Sequence, residues 1–206
     1  MKVIEQEIHS LKNSISEMWA LVHQQLYNAG EAMLTGDKEL AYKVISRERR
    51  VNAFELKIDS DCEDIIALYA PVAIDLRFVL AMYKINTNLE RLGDFAESIA
   101  RFAGNLPEGE PIDPQLVKET RVEEMLSELL SMISLTKEAF EKESSEIASR
   151  IFLKDNLIDE INHNSTAIIA KYIEEHKGSA LAGLYMAGVI PVSYTHLRAH
   201  ETRRHL

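Results

Sequence analysis

The chain has 206 residues, 46% hydrophobic and only 7% aromatic, with a formal net charge of −10. That is enough apolar material for one large core or two small ones in a sequence rich in helix formers, so an all-α fold is the default expectation. The acidic balance excludes nucleic acid as a general partner, because phosphate binding needs a basic face, and the single cysteine, Cys62, excludes an internal disulfide or a thiolate zinc cage.

Ile4, Ile8, Leu11, Ile15, Met18, Val22 and Leu26 step by threes and fours, the apolar stripe of a long first helix from Val3 to about Leu34. Its amphipathic start lacks the continuous apolar run of a signal peptide. Gly36 and Asp37 punctuate the chain. Leu40, Val44, Val51, Phe54, Ile58, Cys62, Ile65 and Tyr69 then carry a second stripe, with one slip near Arg47, until Ala70-Pro71 ends it. Cys62 on this apolar face reads as a small core residue rather than a reactive thiol. A third helix is expected from about Ala73 to Ala103.

Gly104 to Pro114, with Pro107, Gly109, Pro111 and Pro114, forms the clearest linker. Asp113-Pro114 is a helix start, an N-cap oxygen followed by a residue that needs no amide partner. Helix four should cover Pro114 to Glu143 and helix five Glu146 to His176, with helix six beginning near Ser179. Three helices, a linker and three more predict two tandem antiparallel three-helix bundles, residues 1–106 and an incomplete 107–190 with a truncated sixth helix. The longest apolar stretch, Leu181 to Val192, falls short of the ~20 residues of a membrane span. A cytoplasmic protein is expected, meeting membranes only through protein partners.

Two acidic doublets stand out, Glu55 with Asp59 and Glu90 with Asp94, each spaced i, i+4 so that both carboxylates share one helix face. A hairpin turning near Val72 puts Glu55 and Glu90 at the same height, offering four oxygen ligands and no sulfur or imidazole. Such a set suits magnesium, manganese or iron. A third doublet, Asp155 with Asp159, repeats the spacing 100 residues after the first, as a duplicated unit would. The plainer reading is an ion-pair network in which Arg91 joins Glu55 or Asp94. Gly93 argues for something more, because glycine inside a helix costs about 1 kcal/mol relative to alanine and so implies the close approach of a helix or an ion.

The run Ala70-Pro71-Val72-Ala73-Ile74-Asp75-Leu76-Arg77, followed by Asn88-Leu89-Glu90-Arg91-Leu92-Gly93-Asp94-Phe95-Ala96-Glu97-Ser98-Ile99-Ala100, resembles the signature of the PhoU family, and the resemblance extends to about residue 190. It implies a pair of three-helix bundles and a cytoplasmic, homodimeric regulator without catalytic activity. Such a protein restrains phosphate uptake and keeps the phosphate-starvation response off when phosphate is plentiful. The implied partners are the phosphate ABC transporter and its sensor histidine kinase. Carried over by position, Glu55, Asp59, Glu90 and Asp94 match the family's first-repeat metal motifs, Asp155 and Asp159 match the first doublet of the second repeat, and Asp75 and Arg77 match the opening of helix three. The implied cofactors are divalent or trivalent metal ions.

The match has departures. Ser98 stands where the family commonly has asparagine, and a second Leu-Glu-Arg-x-Gly-Asp block, expected after Gly183 to Ile190, is absent. Residues 191–206 break the pattern, with Pro191 interrupting an apolar helix and with His196, His200, His205 and three arginines against the single acid Glu201. This segment resembles translated adapter or vector sequence appended to a truncated frame. A metal pair at His196 and His200 is the lesser reading. A PhoU-like regulator of a sodium/phosphate carrier is the alternative within the fold. A ferritin-like di-iron bundle would need two Glu-x-x-His motifs, and only Glu160 with His163 supplies one.

Overall fold

The computed structural model describes residues 3–106, 112–151, 155–176 and 180–201; of residue 155 and of residues 191–201 it describes the backbone alone. Among the described residues eight helices follow in order: α1 Val3–Thr35, α2 Lys38–Tyr69, α3 Ala73–Asn105, α4 Pro114–Thr120, α5 Val122–Glu141, α6 Ser145–Ile151, α7 Asp155–Glu175 and α8 Ala180–Glu201. The chain is all-α, with no strand among the described residues.

The first bundle follows its sequence signals closely. Asp37 caps α2, its Oδ1 accepting from the Leu40 amide at 2.9 Å, which satisfies one of the free donors of a helix start. Ala70 ends α2 in the left-handed region at φ 44, a conformation that strains an alanine and turns the chain into Pro71. Leu11, Ile15, Met18, Val22 and Leu26 of α1 are fully or almost fully buried against Val51, Ile58 and Ile65 of α2 and Val79, Leu89, Ala96 and Ile99 of α3. Cys62 lies in this core with its thiol against the Val79 carbonyl. Burial and its acidic neighbours push that thiol up to about 12, so it is an inert packing group.

Gly93 is explained by helix packing. A Cβ there would stand 2.8 Å from Val51 Cγ1, so α2 and α3 are in close contact beside the Glu90–Asp94 turn. No ion is needed to account for the glycine.

The second bundle departs from the expected helix boundaries. Helix four is broken at Arg121, which sits at φ 54 between α4 and α5. The break has a packing reason. Leu116 and Val122 are both fully buried, yet six residues of unbroken α-helix would place them about 120° apart, and a left-handed residue turns both inward. Helix five is described as α6 and α7, residues 152–154 between them lying outside the described residues. Asp113 caps α4 as expected, its Oδ1 accepting from the Gln115 amide at 2.8 Å. The backbone of α8 continues through Pro191 to Glu201, where the sequence predicts an interruption; a proline forfeits one helical hydrogen bond without necessarily ending the helix. The side chains of His196 and His200 are outside the described residues.

The two bundles share one core. Trp19 of α1 donates its indole N–H to the Ile133 carbonyl of α5 at 3.2 Å and stacks on Phe140. Phe102 of α3 meets Tyr185 of α8, with ring centroids 4.6 Å apart. No helix of the described residues is long and apolar enough to cross a membrane.

Candidate metal centre

The flank of α2 that faces α3 carries Glu48, Glu55 and Asp59, and the facing flank of α3 carries Asn86, Glu90, Asp94 and Glu97. The helical period puts each set on one side of its helix, and the antiparallel hairpin sets them opposite one another. Asn86 fixes the register. Its amide donates to the Glu55 carbonyl at 2.9 Å and to Asp59 Oδ1 at 2.7 Å, so Glu55 and Glu90 lie at about the same height, as the sequence predicts.

The electrostatics are those of like charges held together. Glu90 is pushed up to about 7, first by burial and then by Asp94 and Glu55, with Arg91 opposing weakly. Glu55 is raised by burial, Asp59 and Asp94. Among the described residues no ion pair joins Arg91 to Glu55 or Asp94, so the ion-pair network that the sequence allowed does not form.

Glu48 is the residue that sequence reasoning missed. It is only 5% exposed, both of its carboxylate oxygens lack a hydrogen-bond partner, and burial followed by Asp94, Glu97 and Glu90 raises it to about 7. Its signal was present: an acid one turn beyond Val44 and just before Val51, at a position where the apolar row calls for an aliphatic side chain. Asn86 Oδ1 is likewise buried without a partner. The site therefore has a surplus of acceptors and a shortage of donors, the condition that a bound cation relieves.

The oxygen-only donor set fits a hard or borderline cation. Among the described residues, however, no three Asp, Glu, His or Cys side chains are already gathered as a chelating set. Asp59 is occupied by Asn86 and Asp94 is exposed. Glu48, Glu55, Glu90 and Asp94 are the residues that would hold an ion there.

The second repeat offers far less. Asp159 is exposed on α7, and the side chain of Asp155 is outside the described residues. Glu160, of the lone Glu-x-x-His string, is bound to Arg121 Nη1 at 2.9 Å across the surface.

A family model described as the PhoU domain matches residues 15–103, the span that holds all of these first-repeat carboxylates. The phosphate-specific transport system accessory protein PhoU homolog of Aquifex aeolicus is 31% identical over 185 residues, 89% of this chain and 81% of that protein. The accessory protein PhoU of Escherichia coli is 32% identical over 88% of this chain and 75% of its own. The solved phosphate transport system regulatory protein PhoU of Streptococcus pneumoniae superposes with a TM-score of 0.79 at 26% identity, covering 95% of this chain and 90% of that one. PhoU from Pseudomonas aeruginosa, 22% identical with a TM-score of 0.77, shares the fold. With the acidic α2–α3 hairpin, the tandem helical architecture and relatives of this identity over most of their length, the chain belongs to the PhoU family.

Proposed function

We propose that this chain is a metal-binding accessory protein of phosphate-specific transport, one that keeps the phosphate-starvation response off when phosphate is plentiful. The single observation carrying the metal part is the donor-poor carboxylate set of α2 and α3, above all the buried, unpartnered Glu48. Glu48, Glu55, Glu90 and Asp94 would hold the ion, with Asp59 kept in place by Asn86. A magnesium, manganese or iron ion supplies positive charge that offsets carboxylates otherwise repelling one another.

The chain's own residues do the rest. Packing of Gly93 against Val51 holds the two helices at a set distance, so neutralising the cluster stiffens the hairpin and presents a defined surface. The action is through contact rather than catalysis, with the phosphate ABC transporter and its sensor histidine kinase as partners, in the cytoplasm and as a homodimer. Asp155 and Asp159 form at most half of a second site.

The test is genetic and analytical together. Expressed in a bacterium that lacks its own PhoU, the chain should restore phosphate-dependent silence of a starvation reporter, and the purified protein should carry metal that Glu55→Ala with Glu90→Ala removes. A reporter that stays on with wild-type chain present would overturn the regulatory reading. Metal content unchanged by the double substitution would overturn the site.

A further inference from the structure

In a chain of net charge −10, the first half of α2 is basic. Lys38, Lys43, Arg47, Arg49 and Arg50 stand there against Glu39 and the buried Glu48. Lys43, Arg47 and Arg50 are spaced i, i+4 and i+7, which sets them in a row along one flank of the helix over about 10 Å. All three are exposed. Elsewhere Lys57, Arg101 and Lys142 are each neutralised one turn away on their own helix or at its end, by Asp61, Glu97 and Glu138. Among the described residues no ion pair takes Lys43, Arg47 or Arg50. Arg50 rests instead against Phe54, the next residue of the row, with its guanidinium carbon 5.9 Å from the ring centroid, a contact that narrows where the planar fork can point.

We infer that the row of Lys43, Arg47 and Arg50 on α2 is a docking site for an acidic helix of a partner protein, with carboxylates spaced i, i+4 and i+7 against the three cations. It rests on the reading that this chain acts through protein partners. Glu48, Glu55 and Asp59 lie about 130° around α2 from the row, so a docked helix leaves the cation site free. Two of the three cations are arginines, which grip a carboxylate through two parallel N–H donors and are weakly hydrated. Shape and charge decide among occupants. The row is one helix flank wide, whereas an anionic membrane is flat and would also meet the acidic remainder of the surface, which repels it. Nucleic acid binding neutralises a longer track of phosphates than three side chains cover. A second copy cannot use the same row, which repels itself, and a contact with any other face is heterologous and propagates instead of closing as a pair. An acidic helix matches the row in both width and sign.

The probes are two stapled helical peptides of identical composition, one with glutamates at i, i+4 and i+7 and one with the same glutamates spread around the helix. Binding to the full chain is measured by fluorescence anisotropy at low salt, with and without manganese. The row peptide should bind about tenfold more tightly than its isomer, weaken as salt rises and ignore manganese. Arg47→Glu with Arg50→Glu should lower that affinity at least about tenfold with the melting temperature kept, since both side chains stand in water. The same variant should take up a twin of the row peptide whose glutamates are lysines. Equal affinity for the two isomers, no binding, an affinity untouched by the charge reversal, no uptake of the lysine twin, or binding that needs manganese overturns the inference. So does a preference for phosphatidylglycerol vesicles, or self-association that the charge reversal abolishes in place of peptide binding. In cells, silence of the starvation reporter with wild-type chain but not with the charge-reversed variant supports the row. Silence with both counts against it, and failure of the wild type alone sinks the regulatory reading while the peptide result still decides the row.

Discussion

The first and second bundles share a plan and differ in how strictly they keep it. In the first, α1, α2 and α3 each run unbroken for 32 or 33 residues, and two of them face each other with a level set of acids. In the second, the helix that should match α1 is split at Arg121, and the one that should match α2 is described in two pieces. A carboxylate site needs two helix flanks in register, and of the second doublet only the exposed side chain of Asp159 is described.

Four measurements break or sharpen that contrast. The largest effect is expected at Gly93. Gly93→Leu forces a side chain into the contact with Val51 and should cost about 3 kcal/mol in urea unfolding, with loss of any metal held by the hairpin. A variant as stable as wild type would mean that α2 and α3 are not tightly packed there.

Next is Glu48→Gln, read as a pH profile in chelator. A carboxyl raised from 4.5 to about 7 binds its proton more tightly in the folded state, so it stabilises below pH 4.5 and that stability is lost as pH rises through 7. The amide cannot ionise. The variant should be more stable than wild type by about 1–3 kcal/mol at pH 8, with the difference vanishing near pH 4.5. In excess manganese the sign should reverse, because the wild type gains a ligand that the variant lacks.

Trp19→Phe probes the junction between the bundles. It keeps a ring beside Phe140 but removes the indole donor from the Ile133 carbonyl, an expected loss of about 1 kcal/mol. Two separated unfolding transitions in this variant, where wild type has one, would show that the shared core depends on this contact. Smallest of all is Asp159→Ala. Melting temperature and metal content should stay at wild-type values, within about 0.5 kcal/mol; a loss of metal would show that the second doublet is a working site after all.

Much of the first bundle was legible in the residues. The stripes of α1 to α3, the Asp37 cap and the stop at Ala70-Pro71 are local or periodic signals, and they sit where the pattern places them. The second bundle was legible in outline only. Leu116 and Val122 lie about 120° apart on a straight helix, but a list of residues does not say that both must be fully buried, so Arg121 looked like ordinary helix. At the site, the i, i+4 doublets and a hairpin turn near Val72 were enough to bring Glu55 level with Glu90. They were not enough to find Glu48, whose role depends on which neighbours crowd its carboxylate.

By itself, the sequence determined that this protein is all-helical, acidic and built twice over, with family motifs concentrated in one hairpin, because helical periodicity and side-chain charge are properties of neighbours along the chain. Only the tertiary structure decided that Gly93 serves a helix contact and that Glu48 is buried without a partner. Each of those depends on the distance between two helices, and that distance is set by packing among residues far apart in the chain.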